Sequence, residues 1–233
     1  MSQWIGCESY HWWQYYNDRG LKIGDHMDEV FGTLRDAGIE SWEQAIPSEE
    51  EADRLGKLLT EYGLKLPSIY SGGKLHEDAW ESTVQDMVRQ ALLAKGLGAT
   101  MLVCNPDPIS WHEELNKTDE QLRRQAKALR SLTRELGAVG MTLAYHTHSP
   151  EMRQSAREFH HMLLATREEG MKLCLDFHWL FRGAGDSQVA LEDLLELYGD
   201  RVVTTHIRQS HGGVWSESLE DGDLDYAPLV SKL

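Results

Sequence analysis

The sequence predicts an α/β fold, a (β/α)8 barrel, on three observations. Short apolar runs alternate with amphipathic stretches of helical spacing. Successive runs begin roughly 35 residues apart, the length of one β-α unit. The first run leads into "YHWWQYY", with no glycine cluster to cradle a phosphate, which disfavours a doubly wound dinucleotide-binding sheet.

The expected strands are "QWIGCESY" (3–10), "GIESWEQ" (38–44), "LKLPSIYS" (64–71), "ATMLVCN" (99–105), "MTLAYHTH" (141–148), "MKLCLDFH" (171–178) and "RVVTTHIR" (201–208). Between them, "EEEADRLGKLLTEYG" places Ala52, Leu55, Leu58, Leu59 and Tyr62 on one helical face. "DEQLRRQAKALRSLTRELG" does the same with Leu122, Ala126, Leu129 and Leu132. Ser48 with Glu51, and Thr118 with Gln121, have the spacing of capping boxes. Gly63, Gly98 and Gly137 stand where helices are expected to close with a left-handed residue. Ser149-Pro150 reads as an N-cap and first helical residue, which puts Glu151 at a dipole-favoured position. No low-complexity segment or linker divides the chain, so one domain is expected over 1–233.

A net charge of −15 argues against nucleic acid or an anionic membrane as partner, since both need clustered Lys and Arg. The three cysteines, Cys7, Cys104 and Cys174, each sit in an apolar run and read as small core residues rather than a disulfide framework. The N-terminus has neither the basic start nor the long apolar stretch of a secretory signal, and no apolar run reaches eighteen residues. A cytoplasmic setting is expected.

A barrel of this kind carries its chemistry at the C-terminal ends of its strands. There the fifth strand offers His146 and His148, the sixth Asp176 followed by His178 and Trp179, and the seventh His206 and Arg208. The fourth ends in Cys104-Asn105, the second carries Glu40 and Glu43, and the first ends in Glu8, Tyr10 and His11. Residues two apart on a strand share a face, so polar residues at the last inward positions of three adjacent strands converge on one pocket. Imidazole nitrogen and carboxylate oxygen together suit a divalent ion.

The segments "LAYHTHSPEMR", "LCLDFHWLFRGAGD" and "VVTTHIRQSHGGVWSESLEDGDLDY", in that order, resemble the xylose isomerase-like TIM barrels, the sugar phosphate isomerases and epimerases that include inosose dehydratases. The resemblance covers essentially the whole chain. It implies one divalent metal ion (Mn, Co, Zn, Fe or Mg) held by a carboxylate on strand five, an Asp on six, a His on seven and a Glu on eight. Asp176 and His206 would take the second and third roles. Glu151 or one of the histidines would take the first, Glu151 with His148 close by being the favoured choice, and His146 or Glu151 would move the proton. Arg208, Glu217, His178 and Trp179 would bind a sugar or polyol substrate, with Trp215 as a further stacking surface.

The resemblance implies a metal-dependent sugar isomerase or epimerase acting through a metal-stabilised enediolate. A dehydratase or lyase on an inosose or 3-keto-glycoside shares that first step, and a non-catalytic sugar-binding protein or inactive fragment is the bland alternative. The nuclease branch of the same fold would need more ligands and a basic groove, which the charge disfavours. The "WIGCESYHWWQYY" segment would serve as a subunit interface in a homo-oligomer, or simply line the first strand and its loop. The departure is at Leu233, inside what reads as helix seven; a strand eight needs about 30–50 further residues, so the barrel reads as truncated after strand seven, the gap between strands seven and one open or filled by a partner.

Overall fold

The computed structural model describes residues 5–233; Gln3 and Trp4 of the expected first strand lie outside them. Element order follows the β-α alternation of the sequence. β1 (Gly6–Glu8) leads into α1 (Tyr10–Asn17) and α2 (Met27–Asp36), β2 (Ser41–Glu43) into α3 (Glu49–Tyr62), and β3 (Ser68–Gly73) into α4 (Trp80–Gly96). β4 (Met101–Pro106) precedes α5 (Asp119–Ala138), and β5 (Thr142–Tyr145) precedes α6 (Arg153–Ala165). β6 (Lys172–Asp176) is followed by α7 (Phe177–Gly183) and α8 (Gln188–Tyr198). β7 (Val202–His206) runs into a small antiparallel hairpin, β8 (Ser210–His211) and β9 (Val214–Trp215), and then α9 (Ala227–Val230).

All seven expected strands are present, each shorter than its apolar run because pairing ends where the chain turns toward a loop. β1 pairs with β2, and β3 through β7 pair in sequence order, every pair parallel. Backbone bonds from Trp42 N–H to the Lys65 carbonyl and from Tyr70 N–H to the Gln44 carbonyl carry β2 across to β3. The strands thus form one series from β1 to β7. Among the described residues nothing pairs with the outer edge of β1 or β7. No helix among them is long and apolar enough to cross a membrane.

Two apolar layers follow from strand alternation. Outward residues such as Leu102, Leu143, Tyr145, Leu173 and Leu175 meet the helices, where Leu129, Leu132 and Phe159 are fully buried. Inward residues Val103, Ala144 and Cys174 form a separate small cluster on the concave side, with Tyr70 and Met101 packed against it. Small residues there leave room above them for polar side chains.

The helix ends agree with the sequence in part. Thr118 and Gln121 form a full capping box, and Ser48 accepts from Glu51 N–H. Gly63 is left-handed at φ 70°, as expected. α5 ends at Ala138, one residue past Gly137, and the left-handed residue is Gly140 instead, where Gly140 N–H donates to the Gly137 carbonyl and Met141 N–H to that of Leu136. Ser149 makes no cap bond with its side chain; a short 3-10 turn spans Pro150–Met152 and the chain is left-handed at Gln154–Ala156 before α6 proceeds. The side-chain bond at this turn runs the other way along the chain: the Glu151 carboxylate accepts from the His148 N–H. On α1, Tyr16 is buried while Tyr10, Trp13 and Tyr15 are exposed, so the aromatic segment is shared between the core and the surface.

Leu129 is fully enclosed where α5 meets the sheet. Leu129→Ala is expected to destabilise the protein by about 3 kcal/mol through lost burial and the cavity left behind. Urea unfolding should show a lower midpoint with an unchanged slope.

Candidate functional site

The candidate site lies at the C-terminal ends of β4 to β7. Parallel register sets Cys104 beside Tyr145 and Asp176 beside His206, while the His146 N–H extends the ladder to the Cys104 carbonyl at 2.7 Å. His146 follows Ala144 on the same face by two residues, and His206 follows Thr204. Their rings therefore stand on the concave side, above the Val103–Ala144–Cys174 cluster.

Three donors converge there: His146, Cys174 and His206 present one ligand atom each, all within 4.8 Å of one another. His146 is 2% exposed and its Nδ1 has no hydrogen-bond partner. Its ring lies 4.8 Å from those of both His148 and His206 and 5.6 Å from Tyr70. Burial, reinforced by the neighbouring imidazoles, holds His146 well below its ordinary value, so it is neutral. Burial likewise pushes the Cys174 thiol up, against the pull of His206.

His206 is held from the far end of the strand series. Its Nε2 lies 3.0 Å from Oε1 of Glu43 on β2, and the other Glu43 oxygen accepts from the Ser68 hydroxyl. Burial is the largest influence on His206 and opposes its charge, but Cys174 and the Glu43 carboxylate outweigh it and hold the imidazole well above its ordinary value. Glu8 is in register with Glu43 on β1 and accepts from Tyr10 N–H at 2.9 Å. Burial pushes the Glu8 carboxyl up to about 7, with Glu43 adding to the effect.

The opposite wall is His148. Asn105 donates its amide N–H to the His146 carbonyl at 3.2 Å, which fixes the amide with Oδ1 facing His148 Nδ1 at 3.0 Å. His148 Nδ1 must therefore carry the proton, and Nε2 presents a lone pair. Burial brings His148 down to about 4, which keeps that tautomer neutral. Trp111 and Trp179 close on its ring, each at 5.2 Å.

The remaining expected residues have other first partners. Asp176 caps α7 through Oδ1, accepting from Trp179 N–H at 2.8 Å, and burial raises its carboxyl to about 6. Glu151 is fully buried behind the β5 end; Oε2 accepts from His148 N–H at 2.8 Å and Oε1 has no partner. Its charged neighbours are Glu158 and Lys117, which form an ion pair of their own at 2.6 Å, and burial raises Glu151 to about 8. This loop is wedged against α7, since a Cβ on Gly183 would meet the Met152 side chain at 2.6 Å and the Ser149 Cα at 3.0 Å. The buried His178 points to Ser210, Nε2 to Oγ 2.9 Å, with its ring 4.5 Å from Trp215. The Arg208 guanidinium stacks on Trp215 at 3.9 Å, and its backbone N–H donates to the Tyr226 hydroxyl at 3.0 Å. Glu217 is exposed in the segment after β9.

The structure thus brings His146, His148, His206, Trp179 and Arg208 to one end of the strands, with Asp176 beside His206. It adds Cys174, Glu43, Glu8 and Asn105. Cys174 shares its face with Asp176 at a spacing of two, a signal visible in the sequence but outweighed there by its apolar neighbours. That Glu43 reaches His206, 163 residues away, has no local signature.

The family model described as xylose isomerase-like TIM barrel matches residues 31–233. The chain is 23% identical to an inosose dehydratase of Geobacillus kaustophilus, over 98% of this chain and 82% of that protein. Among solved structures, an L-ribulose 3-epimerase superposes with a TM-score of 0.72 at 19% identity, covering 99% of this chain and 77% of that one. An AP endonuclease, family 2, from Brucella melitensis superposes at 0.66 with 17% identity over 88% and 81%. These two likenesses concern the fold.

Glu151 gives a pH signature to the metal-free protein. Its carboxyl holds a proton in the folded state up to about 8, whereas an ordinary carboxyl near 4.5 has lost it. The folded state binds more protons between those values, so stability falls as pH rises through that window, by at most about 1.4 kcal/mol per pH unit for this group. Glu151→Gln is expected to flatten its share of that slope, read as melting temperature against pH for variant and parent.

Proposed function

The chain belongs to the xylose isomerase-like TIM barrel family, and on that premise we propose that it is a divalent-metal-dependent sugar isomerase or epimerase. The observation that carries this reading is the buried His146, whose Nδ1 has no partner and whose ring stands 4.8 Å from that of His206 at the ends of the strands. An orphaned buried nitrogen costs about 1–3 kcal/mol, and a cation with imidazole affinity would relieve it. The donors fit such an ion: the neutral His146 imidazole and a His206 ring held in place by Glu43, with Asp176 in register beside His206. His146 and His206 would hold it, Asp176 standing next to them. When bound, a divalent cation draws electron density from a chelated carbonyl and hydroxyl and so acidifies the carbon-bound proton between them.

The chain's own groups supply the rest. This reading moves proton transfer away from His146, which is enclosed among other rings, and from Glu151, which faces Lys117 and Glu158. Glu8 takes that role. It is half-buried beside His206, and a value of about 7 lets it accept a proton from carbon and return one near neutral pH. His148 Nε2 accepts a substrate hydroxyl, the tautomer being fixed by Asn105. Trp179 and Trp215, whose rings lie 5.2 Å apart, offer an apolar surface for a sugar face. Arg208 supplies positive charge for substrate oxygens.

A dehydratase is the second reading, favoured by the likeness to an inosose dehydratase along nearly the whole chain. It shares the proton removal and then expels a β-hydroxyl as water, and product analysis by mass separates the two.

The test is exchange in D2O of carbon-bound protons of keto-sugars and inososes, followed by NMR. Glu8→Gln is expected to slow exchange on the order of 10²- to 10⁴-fold while cation content stays unchanged. In the parent the rate should rise with pH through about 7, as Glu8 loses its proton, and that limb should vanish in the variant. Unchanged exchange in Glu8→Gln would remove Glu8 from the mechanism.

A further inference from the structure

We infer that Cys174 is itself a ligand, so that the cation is held by a thiolate and two imidazoles and belongs to the thiophilic class, Zn²⁺ or Co²⁺, rather than Mg²⁺ or Mn²⁺. This rests on the metal-dependent reading above and assigns a donor that the sequence reads as core.

The geometry favours sulfur over the carboxylate two residues on. Cys174 Sγ lies within 4.8 Å of the ligand atoms of both His146 and His206, a triangle from which Asp176, Glu151 and His148 are absent. Tetrahedral Zn²⁺ with nitrogen and sulfur ligands sets its donors about 3.5 Å apart, so a small inward movement closes the site. Asp176 Oδ1 is already engaged by the first turn of α7. Glu151 Oε2 is engaged by the His148 N–H.

The second observation is His146. It is 2% exposed, its Nδ1 has no partner, and its ring stands beside that of His206 above Cys174. The third is Glu43, whose carboxylate engages His206 Nε2 at 3.0 Å. A carboxylate there fixes the ring and turns its other nitrogen toward Cys174, with which His206 shares a hydrogen bond that a cation between them would replace. Buried thiols lose their proton to a bound metal, so loading would release the Cys174 proton to solvent as the metal–sulfur bond forms. Two imidazoles and a thiolate are a donor set that Mg²⁺ and Mn²⁺ bind poorly and Zn²⁺ and Co²⁺ bind well.

The experiment uses the full chain, stripped with a chelator and reconstituted with Co²⁺ alone. A thiolate-to-cobalt charge-transfer band in the near ultraviolet is expected, absent in Cys174→Ser and retained in Cys7→Ser. Competition with a chromophoric chelator should show Zn²⁺ affinity at least tenfold weaker in Cys174→Ser. X-ray absorption at the zinc edge of the parent needs no variant: one sulfur at about 2.3 Å is expected. Co²⁺ bound without the band, or a zinc shell of nitrogen and oxygen only, would overturn the assignment while leaving a metal-dependent sugar enzyme standing. The band present with no proton exchange on any sugar would do the reverse. No binding of either ion would overturn both.

Discussion

Every donor in the pocket owes its place to the two-residue alternation of a pleated parallel strand. Because β4 to β7 run parallel and in order, the alternation on one strand is in phase with the next, and on β6 and β7 it is restored from Cys174 and Thr204 onward by a register shift after Leu173. Small residues, Val103, Ala144 and Cys174, fill the concave side below, and larger polar ones stand above them. A slip of one residue on β6 would turn Cys174 and Asp176 toward the helices and bring Leu175 into the pocket. The outward leucines and Phe159 oppose that slip, since they are fully enclosed against the helices only in the observed phase. The packing between sheet and helices thus sets the geometry of the chemistry on the other side of the sheet.

The polar groups at the strand ends are held in unequal ways. Asn105, His148 and the His146 carbonyl satisfy one another, and Glu43 has both oxygens engaged. His146 Nδ1 and Glu151 Oε1 do not have partners, although both residues are buried. Folding alone would select against such atoms, since each costs desolvation without return. Glu151 resolves the conflict by keeping its proton. His146, neutral and with a free lone pair, is left in a state suited to a ligand from outside the chain.

Much of this was legible in the sequence. The seven strands were, because each is a short apolar run closed by a turn residue. So was the meeting of His146, His148 and His206, which requires only alternation and strand order. The helix start after Ser149 was misread, since Ser-Pro-Glu satisfies local rules for an N-cap while the actual bond is made by Glu151 to His148 N–H. Gly137 was misread for a similar reason: a glycine near a helix end is a frequent stop, yet the left-handed turn that closes α5 is made at Gly140. Glu43 and Glu8 were seen as strand-end carboxylates, but their proximity to His206 depends on how the first strands stand relative to the last. Cys174 was assigned by its neighbours' hydrophobicity, and hydrophobicity does not distinguish the outer layer of a sheet from its concave floor.

Gly183 bears on how a substrate reaches the pocket. With the Ser149–Met152 turn seated directly on the glycine of α7, the wall carrying His148 and the wall carrying Trp179 are one mechanical piece. Neither can swing aside without the other. The hairpin of β8 and β9 is tied to α7 differently, by hydrogen bonds between Ser210 and both His178 and Arg182 and by Asp223, which accepts from the Gly212 and Gly213 N–H groups. The rim is therefore asymmetric in what secures it: direct steric seating on the β5 and β6 side, and a polar lacing on the side that carries Trp215.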